Sequence, residues 1–323
     1  KRLVSLLLAF SMMLTFLPVG AVSAFAEGDG TFNDGKLNYT VIDEEAKTAK
    51  VSGVVDKTLT AADIPDECEG YTITEIGKEA FKGCTKLKSV RIGAKVEKID
   101  DYAFKDYSNM YNCEELKTVE FAPGSCLKEI GDRAFDQTAI TAIELPETLE
   151  TIGTYAFSGT QLTNIEIPEN VEEMGYEVFY YCVKLEKVEF KGDNLKKIKP
   201  YMFYQCRKLK EIKWPTGLQE IERCVFAECK ALEVLDFRDL KELKTIGDCL
   251  TDQTPNLKKV YLPANAGVNF DRAAFAETNS SLTEGKKVTI YYAGSEEDFK
   301  ERVSNGTDPQ KYFYKASRDE SAG

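Results

Sequence analysis

The chain has 323 residues, nine cysteines, no histidine and a formal net charge of −12. Without histidine there is no Ser-His-Asp or Cys-His arrangement, no His-containing zinc set and no imidazole base, which argues against an enzyme. The acidic balance argues against nucleic acid, whose phosphates need a basic surface, and 43% hydrophobic with 30% charged residues predicts a packed core.

Lys1 and Arg2 are the only charges before Glu27, and an apolar run over residues 3–17 leads to Pro18-Val19-Gly20 and then Ala24-Phe25-Ala26. A basic start, a short apolar stretch and an A-x-A site predict a signal peptide over residues 1–26, hence a secreted or cell-surface (extracellular) protein. A spanning helix would need about 20 apolar residues. Cleavage leaves 40 basic against 54 acidic side chains, a net charge of −14. A start without Met and an end in a polar stretch suggest that the chain continues at both ends.

Residues 27–75 form the next unit, a linker and then a cap. Leu37-Asn38-Tyr39-Thr40-Val41 and Ala49-Lys50-Val51-Ser52-Gly53-Val54-Val55 flank a polar turn and read as a β-hairpin that covers the open end of the downstream core.

From residue 76 the chain repeats itself. Phe recurs at 81, 104, 135, 157, 179, 203 and 226, with Leu250 and Phe275 read as continuing the row at intervals of 22–25 residues, except for one of 31. An aliphatic residue precedes each Phe from 81 to 226 by five, and Leu250 by four, often with Gly directly after it, as in Ile76-Gly77, Ile130-Gly131, Ile152-Gly153, Met174-Gly175 and Ile246-Gly247. Each unit then shows an apolar pattern such as LKSVRI from Leu87, ITAIEL from Ile140 or LEKVEF from Leu185, whose last three positions alternate apolar, polar, apolar. That alternation predicts one short parallel strand per coil, buried on one side. Pro146, Pro168, Pro215 and Pro263 stand after the strand and end it, lacking an N–H for the ladder. One coil cannot bury its own apolar columns, whereas stacked coils merge them into a single core. The Ile-Gly-x-x-Ala-Phe corner is too short for a stable helix and is expected to make one α or 3₁₀ turn on the face opposite the sheet.

The unit I-G-x-x-A-F-x-x-C-x-x-L-x-x-[VI]-x-[IFLW]-P resembles the BspA-like (Treponema-type) leucine-rich repeats of bacterial surface proteins. The resemblance implies a leucine-rich-repeat solenoid (β-rich α/β) with adhesion or host interaction as its role. Repeats are assigned to residues 76–270, and residues 271–323 to a terminal repeat or cap and the start of a linker. In that last unit Tyr291-Tyr292-Ala293-Gly294-Ser295 and Phe299 resemble the family's closing segment.

Four features stand out as candidates. Cys84, Cys113, Cys182, Cys206 and Cys229 hold one repeat position that Thr138 and Thr160 take over in two coils, so they read as buried, unpaired thiols. Tyr180, Tyr181 and Tyr204 cluster beside the Phe corner, where other coils have Lys82, Lys105, Asp136 and Ser158, and are expected to face solvent. The insertion at residues 106–112 lengthens one coil only, and such insertions often carry binding. Between the two inward strand positions the stack reads Arg91, Glu120, Glu144, Glu166, Glu189, Lys213, Asp236 and Tyr261. Glu120, Glu144, Glu166 and Glu189 on adjacent strands would repel one another unless solvation, Lys187 and Lys213 offset them, or a basic partner or weak Ca²⁺ binding does so. These residues, with the three tyrosines, are the candidate partner-binding set. No catalytic, cofactor or metal-ligating residue is assigned.

The sequence leaves two readings open. One is a binding module for a protein or glycan at the cell surface, with no membrane span after signal removal; the other is a structural spacer carrying a further anchoring or enzymatic domain.

Overall fold

The computed structural model describes residues 30–108, 112–263, 269–270, 274, 288–292 and 313–316. Residues 1–29, where a signal peptide is expected, part of the insertion, Phe275 and most of the terminal unit lie outside these. The chain is a leucine-rich-repeat solenoid whose stacked coils share one core. Among the described residues there is no helix.

The coils build two parallel ladders, most giving a strand to each, rather than the single strand per coil expected. The first is the anticipated strand, as in Ser89–Ile92, Thr118–Phe121, Asn164–Ile167 and Lys187–Phe190. The second is a two-residue strand ending at the aliphatic corner, including Lys98–Ile99, Glu129–Ile130, Thr151–Ile152 and Glu173–Met174. Such short strands escape a search for alternation, because two residues contain no period. The ladder of longer strands falls into three sets of three, three and four strands. One break is at residues 140–145, which keep the in-out alternation but form no strand, although Ile143 and Leu145 are buried. The ladder of short strands lapses between Glu173–Met174 and Lys197–Ile198. There the next coil carries Lys199-Pro200 where the preceding two have Gly.

The interior is built column on column. Phe81, Phe104, Phe135, Phe157, Phe179, Phe203 and Phe226 are fully buried. Their rings stack nearly parallel, with centroids 4.8 and 5.0 Å apart in the first two steps and 5.8–5.9 Å apart in the last three. The wider spacing accompanies larger neighbours. The residue before Phe is Ala80, Ala103, Ala134 and Ala156 in the early coils, then Val178, Met202 and Val225.

The expected α or 3₁₀ turn is replaced by a sharper corner. The residue two before each Phe has left-handed φ, as does the residue two after each except Phe104, where the insertion begins; examples are Tyr102 (56°), Arg133 (55°), Gln137 (61°), Tyr155 (57°) and Tyr181 (61°). A single left-handed residue ends any helical run, so local bonds such as Ala80 N–H to Gly77 O (3.1 Å) close only single turns, and the Phe N–H bonds coil to coil, as in Phe81 N–H to Ala103 O (2.8 Å) and Phe135 N–H to Ala156 O (2.9 Å). The corner glycine makes this approach feasible: a Cβ on Gly153 would lie 2.5 Å from Asp132 N, and one on Gly175 2.3 Å from Thr154 N.

The same bonds correct the register of one coil. Phe226 N–H donates to Leu250 O, as Phe203 N–H does to Val225 O. Leu250 is therefore the successor of Val225, and the buried Thr251, not Leu250, occupies the Phe position. The ring column of the described coils thus ends at Phe226.

At the other end Leu37–Asp43 and Thr48–Val54 form the anticipated antiparallel hairpin, with Thr31–Asn33 on its outer edge. Thr48–Val54 pairs parallel with Tyr71–Ile76, which hands the ladder on to Lys98–Ile99. Phe32 stacks on Tyr39 and Tyr71 at 5.0 and 5.3 Å, filling the end of the core.

Candidate functional site

The strip of glutamates on the sheet face is discontinuous. Glu120 faces Arg91 in register, and Arg91 bonds Asp63 at 3.1 Å. Glu144 is exposed but lies in the segment without a strand, so it has no in-register partner. Of the four, only Glu166 and Glu189 face each other across paired strands. Lys191 joins them, with Nζ 3.0 Å from Glu166 and 3.3 Å from Glu189. Lys213 (3.0 Å) and Lys187 (3.6 Å) complete the shell. Hydrogen bonds from Lys213 and Lys191 hold the Glu189 carboxyl down at about 2. The sequence pattern points to Lys187 and Lys213 but not to Lys191, which stands directly after the strand, where other coils have Pro. The facing pair of the strip, Glu166 and Glu189, is therefore neutralised within the chain. Among the described residues no group of three carboxylates or thiols converges as a metal set, so the Ca²⁺ expectation finds no geometry there.

On the turn face, Tyr180 and Tyr204 are half-buried and stack at 5.1 Å with a 5° interplanar angle. Tyr155 meets Tyr180 edge-on at 6.0 Å, and Tyr201 meets Tyr204 edge-on at 5.8 Å. The Tyr204 hydroxyl donates to Glu228 Oε1 at 2.8 Å. Tyr176 and Tyr181 are exposed, at 49% and 46%. Cations lie over this array: Arg133 on Tyr155 (3.9 Å), Lys199 on Tyr176 (5.4 Å), Arg207 on Tyr181 (5.7 Å) and Arg223 on Tyr201 (5.3 Å). Each ring face so covered presents an aromatic edge and a cation together, an amphipathic surface of the kind enriched at contact sites.

The neighbouring coils depart from the expected solvent exposure of this column. Lys105, Asp136 and Ser158, at the positions equivalent to Tyr180 and Tyr204, are buried rather than solvated. Lys105 Nζ contacts Asp136 Oδ2, which also accepts from Arg133 at 3.0 Å. The insertion adjoins this pair: Asp106 and Asn112 are themselves buried, and Tyr107 N–H donates to Glu79 across the coil boundary at 2.8 Å. The opposite signs of Lys105 and Asp136, one coil apart at one position, are the sequence signal for this pair.

The cysteine column is buried and carries no disulfide. Cys182, Cys206 and Cys229 donate through Sγ to the carbonyls of Phe157, Phe179 and Phe203 at 3.1, 3.2 and 3.1 Å. Thr254 makes the equivalent bond to Phe226 O at 2.7 Å, whereas Thr138 Oγ1 donates to Phe135 O of its own coil at 2.9 Å, so a hydroxyl in the column finds a Phe carbonyl on either side. Burial pushes the Cys182 thiol up to about 12, keeping its proton for that bond.

Stacked coils, a ring-filled core and an elaborated outer surface define a bacterial-type repeat scaffold, and comparison with known proteins agrees. The profile of the BspA type leucine rich repeat region matches in six copies over residues 74–194, 128–257 and 178–290. The chain belongs to that family. A leucine-rich repeat protein from Bacteroides ovatus has a similar fold, with TM-score 0.57 and 23% identity over 80% of this chain and 70% of that one. The Treponema pallidum leucine rich repeat protein aligns with TM-score 0.53 and 25% identity, over 61% of this chain and 87% of its own. No curated protein sequence matches the chain significantly. Among the described residues no helix is long and apolar enough to cross a membrane.

Proposed function

We propose that the protein is an exported, non-catalytic binding module displayed at the cell surface, and that it meets a protein or glycan partner through the tyrosine-rich turn face. The observation that carries this reading is the exposure of Tyr176 and Tyr181 beside the stacked Tyr180 and Tyr204, each exposed ring covered by a cation. Large aromatics and arginine supply most contact energy at protein interfaces. The sheet face supports the reading less well, because its facing glutamates already have lysine partners. Export is supported by the basic, apolar and A-x-A segments of residues 1–26, and N-terminal sequencing of the secreted chain should begin at Glu27.

The experiment is binding of the folded protein to immobilised extracellular-matrix proteins and glycans, with Tyr176→Ser/Tyr181→Ser beside the parent. A loss of roughly tenfold or more in affinity is expected for the double variant. Equal binding by the parent and the variant would remove the tyrosine face as the site, and a loss confined to Glu120→Lys/Glu144→Lys would assign contact to the sheet. Binding by neither parent nor variants would favour the spacer reading.

A further inference from the structure

Of the four cysteines outside the buried column, Cys68, Cys126, Cys224 and Cys249, the last two lie in neighbouring coils. Cys224 and Cys249 are each the third residue after the corner isoleucine, Ile221 and Ile246, in consecutive coils. Both have left-handed backbone, with φ of 56° and 48°, and both are only partly buried. Cys224 N–H donates to Asp248 O at 3.0 Å, so the coils are in register beside them. Side chains at this position meet across coils elsewhere, as Arg133 does on Tyr155 at 3.9 Å. Here Cys224 and Cys249 occupy that position in two consecutive coils, which the backbone bond from Cys224 to Asp248 holds in register. The column thiols differ: each is fully buried, and Cys182, Cys206 and Cys229 point at a carbonyl rather than at another sulfur.

We propose that Cys224 and Cys249 are a dithiol site that reacts with low-molecular-weight disulfides and closes to a disulfide between these coils. The Cys224 thiolate attacks one sulfur of the reagent, whose S–S bond breaks to release one thiolate. The Cys249 thiolate then attacks the Cys224 sulfur of the mixed disulfide and releases the second. The protein pair loses two electrons, the reagent gains them, and the two protein protons pass to the departing thiolates. Cys224 attacks first because the Tyr201 hydroxyl and the Arg223 guanidinium favour its thiolate against Asp248, whereas Asp248, Asp252 and Cys224 all oppose the Cys249 thiolate. Closure would bridge the stack where Thr251 replaces the last Phe and ring stacking ends. Burial raises both thiols, Cys249 to about 11, so closure should be slow at neutral pH and quicken roughly tenfold per pH unit up to pH 9.

The test incubates the folded full chain with oxidised glutathione at pH 8.5, then acid-quenches, unfolds, alkylates and maps peptides by mass. The expected product joins a Cys224 peptide to a Cys249 peptide, with Cys182, Cys206 and Cys229 alkylated. Cys249→Ser should stop at one glutathione adduct on Cys224, and the closed parent should melt above its reduced form. Full alkylation of the parent, a crosslink through Cys229 instead, or a Cys249→Ser protein without adduct would each overturn the proposal.

Discussion

The turn face at Lys105 and Asp136 and the sheet face at Glu189, Lys191 and Lys213 are both clusters of carboxylates and cations, yet they differ in burial. The Lys105 and Asp136 side chains are 0% and 1% exposed, and among the described residues Arg133 is the other cation bonded to that carboxylate. Lys191 and Lys213 are 37% and 64% exposed. In the first cluster water cannot replace a missing partner, and in the second it can. Asp136→Asn therefore makes the largest effect expected in the molecule, because it leaves the Lys105 ammonium buried without an anion, a loss of about 3–5 kcal/mol. Lys105→Met/Asp136→Leu should recover most of that loss, since an apolar pair of similar volume is often neutral or better. Urea unfolding of the two variants checks this; equal destabilisation by both would show that packing, not the unpaired charge, sets the effect.

Corners with and without glycine differ in how closely the coils approach. At Gly153 an added Cβ would meet backbone atoms of the preceding coil at 2.5 Å, which cannot rotate away. Gly153→Ala should destabilise by about 1–3 kcal/mol, in the range for forced overpacking. A thermal melt within error of the parent would mean the coils separate there without penalty, as the ladder of short strands already does before Lys197–Ile198.

The columns that bind the coils together are legible in the sequence because they recur: Phe, the corner aliphatic residue, the cysteine position and the strand alternation each repeat many times, and a repeated pattern averages out local exceptions. Local and relational features escape it. The short strands have no period of their own. The step to Thr251 is hidden because Leu250 is apolar and falls one residue early, although Ile246-Gly247 already fixes the correct phase. For the turn-face candidates, reading Lys105 and Asp136 singly as polar suggests solvent, whereas reading them together gives an ion pair that tolerates burial. The neutralisation of the facing pair in the sheet-face strip is hidden for a similar reason, since Lys191 lies outside the column of outward strand positions.

The smallest expected effect concerns that lysine. A bare ladder of glutamates would be relieved by neutralisation, so Glu166→Gln would raise stability. The observed geometry reverses the sign: Glu166 and Glu189 share Lys191, and Glu189 also holds Lys213. Glu166→Gln and Glu189→Gln should each leave the melting temperature unchanged or slightly lower, with Glu189→Gln the more damaging of the two. The pH dependence has a defined direction. Lys213 and Lys191 depress the Glu189 carboxyl from its ordinary 4.5 to about 2. The stability it contributes is therefore fully present above pH 4.5 and is lost as pH falls from there toward 2. The difference in melting temperature between parent and Glu189→Gln should accordingly shrink across that window. It should also shrink in high salt, because the cluster is open to solvent. A Glu189→Gln protein that melts above the parent at pH 7 would restore the repulsive ladder, and with it the case for a cationic partner on the sheet.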